Sequence, residues 1–184
     1  MQHYASEGKG KEVDLRGYDD SYHAGEKKTW MTQSGFFMFL NTALIKYFSK
    51  NRATIDASGS GSEFEAMKIF MEILQRIRYK LRIMGVLISG PFYIYGNNMS
   101  FIHNTHSHES TLNKNINFIC YHTVRECVAM GESLTGHVGT TNNCADLATK
   151  VLYGVKRSFL MSKLLYDIYD DLRAFSWQSW PTCC

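Results

Sequence analysis

Met67, Phe70, Leu74, Ile77, Leu81 and Met84 recur at intervals of three and four residues. That period lays one continuous apolar stripe along an α-helix, and no other stretch of the chain restricts the fold as tightly. Such a helix has to bury its stripe against a second layer. Ser58-Gly59-Ser60-Gly61-Ser62 precedes it and offers an N-cap, and Gly85 supplies an end. Extending the stripe four residues back from Met67 reaches Glu63. A carboxylate thus heads the apolar face, while Glu65 falls on the polar side with Glu72 and Arg76.

Strands on either side supply the second layer. Residues 12 to 19 alternate loosely around Val13 and Leu15, SGFFMFLN (34 to 41) is aromatic-rich, and Ala43 to Ser49 reads as a third strand. The short Asn41-Thr42 link makes the last two a hairpin, and the turn-rich DDSYHAGEKK separates the first two. After the helix, residues 92 to 97 form a strand that a right-handed crossover returns parallel to the first. Residues 98 to 114 read as a polar link. Ile116, Ile119, Cys120, Val124 and Cys127 mark a further helix, Leu134 to Val138 a short strand, and Asn142 to Leu152 and Ser158 to Leu172 late helices. The expected fold is α/β: a mixed sheet of three antiparallel strands and then parallel ones, flanked by helices. We divide the chain into a disordered lead-in (1–11), a domain (12–155) and a helical C-terminal extension (156–184).

Composition narrows the function classes only modestly. The 184 residues are 45% hydrophobic, and 20 Lys+Arg against 17 Asp+Glu give a net charge of +3. That charge permits a nucleic-acid partner without demanding one. Five cysteines without a CxxC pair argue against a zinc site or a disulfide framework and suit a reducing compartment inside the cell, cytoplasm or nucleus. No apolar run is long enough to span a membrane, and the polar N-terminus carries no signal-peptide core.

Three carboxylates sit at expected element ends: Asp20 after the first strand, Glu63 at the head of the helix stripe, and Asp146 in the first turn of NNCADLATKVL. Open α/β sheets place their sites beyond the strand ends. Carboxylates gathered there repel one another unless a cation intervenes. Two Mg²⁺ ions about 3.5–4 Å apart are a common solution in phosphodiester-cleaving centres.

GYDDSYHAGEKKTWMTQSGFFMFLN, GSEFEAMK, YIYGNNMS, YHTVRE and ADLATKVL follow in the order and spacing of the RNase H domain of Ty1/copia-type retrotransposon polyproteins, which the chain resembles over about residues 12 to 153. The resemblance implies an RNase H-like fold, hydrolysis of the RNA strand of RNA–DNA hybrids, and two Mg²⁺ ions, with Mn²⁺ as an alternative. It also implies a reverse transcriptase domain as a neighbour in the parent polyprotein. The family's first Asp matches Asp20, its Glu matches Glu63, and its last Asp matches Asp146. Its third acid, at the end of the fourth strand, matches Asn97. Shape is nearly kept there and charge is lost, so impaired cleavage is expected, because one missing electrostatic stabiliser can lower a rate on the order of 10²–10³-fold. The alternatives are a non-catalytic nucleic-acid-binding module and an inert relic. Tyr22 stands where the family often has a second Asp. Strand parity places Asp19, not Asp20, with Val13 and Leu15; the resemblance selects Asp20, and a bulge would reconcile the two.

Lys114, Arg125 and Lys150 are the candidate phosphate contacts. His103, His106 and His108 read as surface histidines rather than a metal site, and His122 as a solvated helix position. Arg76, Arg78, Lys80 and Arg82 read as a solvated basic face, and Phe175, Trp177 and Trp180 as packing of the extension.

Overall fold

The computed structural model describes residues 13–22, 31–52, 59–86, 88, 90–107 and 118–165. The apolar stripe forms its helix, α1 (Gly59–Ile83). Met67, Phe70 and Leu74 are fully buried and Leu81 nearly so. The stripe ends sooner than its period suggests. Met84 lies beyond the helix and is exposed, because Gly85 at φ 78° turns the chain away.

A five-stranded sheet receives α1. Its strands are β1 (Leu15–Tyr22), β2 (Gln33–Leu40), β3 (Ala43–Asn51), β4 (Phe92–Gly96) and β5 (Ser133–His137), in the order β3-β2-β1-β4-β5. β1 is antiparallel to β2 and parallel to β4, and β5 is parallel to β4, which is the mixed sheet expected from the sequence. The β2–β3 hairpin turns through Asn41 at φ 56°, a conformation asparagine tolerates. β2 reads as an unbroken apolar run because it is covered on both faces. Phe36 and Met38 join α1, α2 (Met99–His106) and α3 (Phe118–Ala129) in one core. Phe37 and Phe39 face the other way, onto Cys144, Ala145 and Leu160, which belong to the segment around α4 (Asp146–Thr149) and α5 (Gly154–Leu164).

Several expectations are corrected. β1 continues to Tyr22, so Asp20 lies within the strand; residues 23–30 of the expected turn lie outside the described residues. The polar link contains α2, which Asn98 caps by accepting from the Phe101 amide at 3.1 Å. One helical face of Phe101, Ile102 and Thr105 is too short for its period to stand out in the sequence. In α3, Cys120, Val124 and Cys127 are buried as expected, Ile119 is exposed, and Ile116 lies outside the described residues. Only Asp146–Thr149 of the expected 142–152 helix is helical. The buried Asn143 side chain holds the preceding turn instead, accepting from the Ala145 amide at 3.1 Å and donating to the Asp19 carbonyl at 3.0 Å. The last helix occupies Gly154–Leu164, and residues beyond 165 lie outside the described ones. Among the described residues no helix is long and apolar enough to cross a membrane.

α1 lies so close to β1 because Gly17 has no side chain. A Cβ there would come within 2.2 Å of the Phe70 ring and 2.6 Å of the Phe37 carbonyl oxygen. Gly17→Ala is therefore expected to destabilise the fold by about 1–3 kcal/mol through overpacking, read as a lower urea midpoint. An unchanged midpoint would contradict this close approach.

Candidate active site

The parallel β1–β4 ladder pairs Tyr18 with Tyr95. Two residues further along each chain bring Asp20 beside Asn97, and the Asn97 amide Nδ2 donates to Asp20 Oδ1 at 3.2 Å. The β1–β2 register runs from Leu15↔Leu40 to Tyr22↔Gln33 without a bulge. Asp19 and Asp20 therefore point to opposite faces. Asp19 follows Leu15 and Gly17 towards the α1 side and is 5% exposed. Burial raises its pKa well above the usual carboxyl range, with the neighbouring Asp20 and Glu63 charges adding to the effect. Its Oδ1 has no hydrogen-bond partner among the described residues. Asp20 faces the α4 side, and the expected bulge is not needed.

Glu63 stands in the first turns of α1, where Arg52 anchors the backbone. The buried Arg52 guanidinium donates to the Ser62 carbonyl at 2.5 Å, to Glu65 Oε2 at 2.9 Å and to Ser34 Oγ at 2.6 Å. Glu63 Oε2 accepts from Asn98 Nδ2 at 2.8 Å. Burial pushes the Glu63 carboxyl up to about 7; the Asn98 hydrogen bond opposes that rise and the Asp20 charge assists it. Asn98 thus caps α2 through its oxygen and steadies Glu63 through its nitrogen.

Asp146 opens α4 and is fully buried. Lys150 Nζ lies 2.7 Å from its Oδ1, and Lys156 Nζ of α5 lies 2.5 Å from its Oδ2. Lys150 also reaches Asp20 Oδ2 at 3.1 Å, and Thr149 Oγ1 donates to the same oxygen. Gly35, the cross-strand partner of Asp20, makes this possible: a Cβ there would lie 2.6 Å from the Ala148 Cβ. An open groove of about 600 Å³ runs past Asp20, Glu63, Asn97 and Lys150. Asp146 does not line it.

Asp20, Glu63 and Asn97 thus meet at one groove, and Asp146 joins them through Lys150. The donor atoms are oxygens of the kind Mg²⁺ accepts. The charge does not fit a two-ion centre. Asp20 and Asp146 are matched by the Lys150 and Lys156 ammonium groups, and Glu63 titrates near neutrality. Among the described residues no three His, Cys, Asp or Glu side chains form a group that could hold a metal ion. Within the expected ligand set Asp20, Glu63 and Asp146, the Lys150 ammonium stands between Asp20 and Asp146, and Lys156 meets Asp146 from its other side.

Of the candidate phosphate contacts, Lys150 lines the groove while turning its ammonium to the two aspartates. Arg125 belongs to another cleft, between α2 and α3, where it donates to Tyr121 Oη and the Ser107 carbonyl, both at 2.6 Å. Lys114 and His108 lie outside the described residues, as do Phe175, Trp177 and Trp180. His106 meets Thr135, and His122 is an exposed residue of α3 resting against Phe118. Sequence reasoning missed Lys156, Thr149, Asn143 and the second role of Asn98. The four-residue spacing from Asp146 to Lys150 was legible as an ion pair on one helical face. The ten residues separating Asp146 from Lys156 carry no such signal.

No known protein-family model matches the chain. It is 26% identical over 152 residues to the retrovirus-related Pol polyproteins from transposons RE1 and RE2 of Arabidopsis thaliana. That alignment covers 78% of this chain and 10% of either polyprotein, so the chain spans about a tenth of the relatives it matches. Its fold is that of RNase H. The structure of LC11-RNase H1 in complex with RNA/DNA hybrid superposes with a TM-score of 0.58 at 13% identity, covering 74% of this chain and 94% of that one. The foamy viral protease-reverse transcriptase in complex with RNA/DNA hybrid gives 0.50 at 12% identity, over 81% of this chain and 22% of that one. The chain resembles transposon Pol polyproteins in sequence and RNase H domains in architecture.

The raised Glu63 value has a definite sign. Its carboxyl holds a proton in the folded chain where the unfolded chain has already lost it, so its contribution to stability falls as pH rises from about 4.5 to about 7. Asp19 acts in the same direction. Over that interval the wild type is expected to lose stability relative to Glu63→Gln in thermal melts. Parallel curves for the two proteins would contradict the buried environment assigned to Glu63.

Proposed function

We propose that this chain is a copia-type, retrotransposon-derived RNase H-like domain that retains a hybrid-binding groove and has lost most or all of its hydrolytic power. The observation that carries this reading is the hydrogen bond from Asn97 to Asp20. At the end of β4, beside Asp20, a carboxylate would repel its neighbour and so call for a cation. An amide relieves the repulsion by donating a proton instead. The constellation Asp20, Glu63, Asn97 and Asp146 is thus the remnant of four acids whose ancestral work was divalent-metal hydrolysis, with Mg²⁺ or Mn²⁺, of the RNA strand of RNA–DNA hybrids.

The groove beside Asp20 is where a hybrid backbone would lie. Lys150 lines that groove, and Lys150, Lys114 and Arg125 are proposed as phosphate contacts. Phosphate neutralisation by such side chains would give affinity with little sequence preference. The short span relative to the RE1 and RE2 polyproteins supports a reverse transcriptase domain as a partner in a longer parent protein.

Cleavage of a labelled RNA–DNA hybrid in Mg²⁺ or Mn²⁺ tests the reading. Asn97→Asp restores a carboxylate on the groove side of Asp20, away from Lys156. Where Mg²⁺ or Mn²⁺ displaces the Lys150 ammonium from Asp20, the substitution is expected to raise cleavage on the order of 10²-fold, the scale of one electrostatic stabiliser. Hybrid binding by both proteins, measured by gel shift, should weaken as salt rises. Binding without cleavage in either protein would favour the non-catalytic binding module, and loss of both would favour an inert relic. Vigorous wild-type cleavage would refute impairment.

A further inference from the structure

We infer that Lys150 and Lys156 are the permanent cations of this centre, and that with Asp20 and Asp146 they form a metal-independent brace that fixes α5 to the sheet. The inference goes beyond the loss of charge at Asn97, because it concerns the opposite end of the constellation and a segment outside the motifs.

A fully buried carboxylate must be compensated, and each oxygen of Asp146 meets a different ammonium, at 2.7 and 2.5 Å. One of these groups, Lys150, continues to Asp20, whose remaining acceptor sites are taken by Asn97 and Thr149. The network is thus closed: two carboxylates, two ammoniums and two neutral donors. Lys156 matters most for its origin. It comes from α5, whose only fully buried side chain among the described residues is Leu160, and whose N-cap residue Tyr153 makes no side-chain capping bond. Leu160 and the partly buried Leu164, the hydrogen bond from Lys163 to Asn142 Oδ1 at 3.0 Å and the Lys156 ion pair hold that helix to the segment before and within α4, and Lys156 is the tie at its first turn. A divalent cation could reach Asp146 only by displacing an ammonium, and displacing Lys156 would loosen the first turn of α5. The segment after the last motif therefore closes the carboxylate from the far side.

This is separable from nucleic-acid function by a test that uses no nucleic acid. In a cluster of carboxylates waiting for a cation, removing one charge relieves repulsion and raises the melting temperature of the metal-free protein. In an ion-paired brace the same change strands two ammonium groups. Asp146→Asn in EDTA is therefore expected to melt lower than wild type, on the order of 5 °C or more. Lys156→Met should also melt lower, while the charge-conserving Lys156→Arg stays close to wild type. Millimolar Mg²⁺ at matched ionic strength should leave the wild-type melt unmoved. If Asp146→Asn does not fold at all, that supports the brace provided Lys156→Arg folds normally by far-UV circular dichroism. A higher melting temperature for Asp146→Asn in EDTA, an unchanged melt for Lys156→Met, or a wild-type melt raised by Mg²⁺ would overturn the inference.

Discussion

A single ammonium group, that of Lys150, stands between two buried aspartates on different elements, and the rest of the site is arranged around it. Asp20 comes from the central strand and Asp146 from a four-residue helix more than a hundred residues later. Without a cation between them the two charges could not share a dry interior. The fold meets that demand in steps. Gly35 lets α4 approach β2, Asn143 ties the preceding turn to the carbonyl of Asp19, and Lys156 satisfies the oxygen that Lys150 leaves. Each step is a local packing or hydrogen-bonding event, and together they leave little net negative charge to attract a metal.

The two sides of the constellation differ in character. On the groove side, Asp20, Asn97, Asn98 and Glu63 form a chain of amide-to-carboxylate contacts. The Asn97 amide supplies a donor to Asp20, and the Asn98 amide supplies one to Glu63. On the buried side, lysines supply full charges. Both substitutions for a cation act in the same direction, towards a centre that is electrically quiet and structurally satisfied. The RNase H architecture is thus kept around a centre whose carboxylates are met by ammonium and amide groups.

The fold was largely legible because its strongest signal was long. Six apolar residues at helical spacing define α1, and the aromatic run of β2 could belong only to a strand covered on both faces. Short elements were not legible. α2 shows a single helical face, and the turn before α4 is held by a side chain, Asn143, that sequence period does not register. Of the site, the approach of Asp20 to Asn97 was readable from the expected pairing of the first and fourth strands, and Glu63 as the head of the helix stripe. Parity put Asp19 on the face of Leu15, and there it lies, buried beneath α1 with its carboxyl pushed towards the neutral form. Lys150 escaped notice as a counter-ion because a positive charge next to an acid motif looks like a contact for phosphate, and Lys156 because only the packing of α5 brings it to Asp146.

Direct observation of the cation positions bears most closely on this account. Crystals of the full chain soaked in Mn²⁺ and measured at the manganese absorption edge would reveal any ion at the centre by its anomalous signal. The account expects no anomalous peak between Asp20 and Asp146, with the Lys150 ammonium lying there instead. One or two manganese peaks bridging those carboxylates, with the lysine side chains swung away, would contradict it.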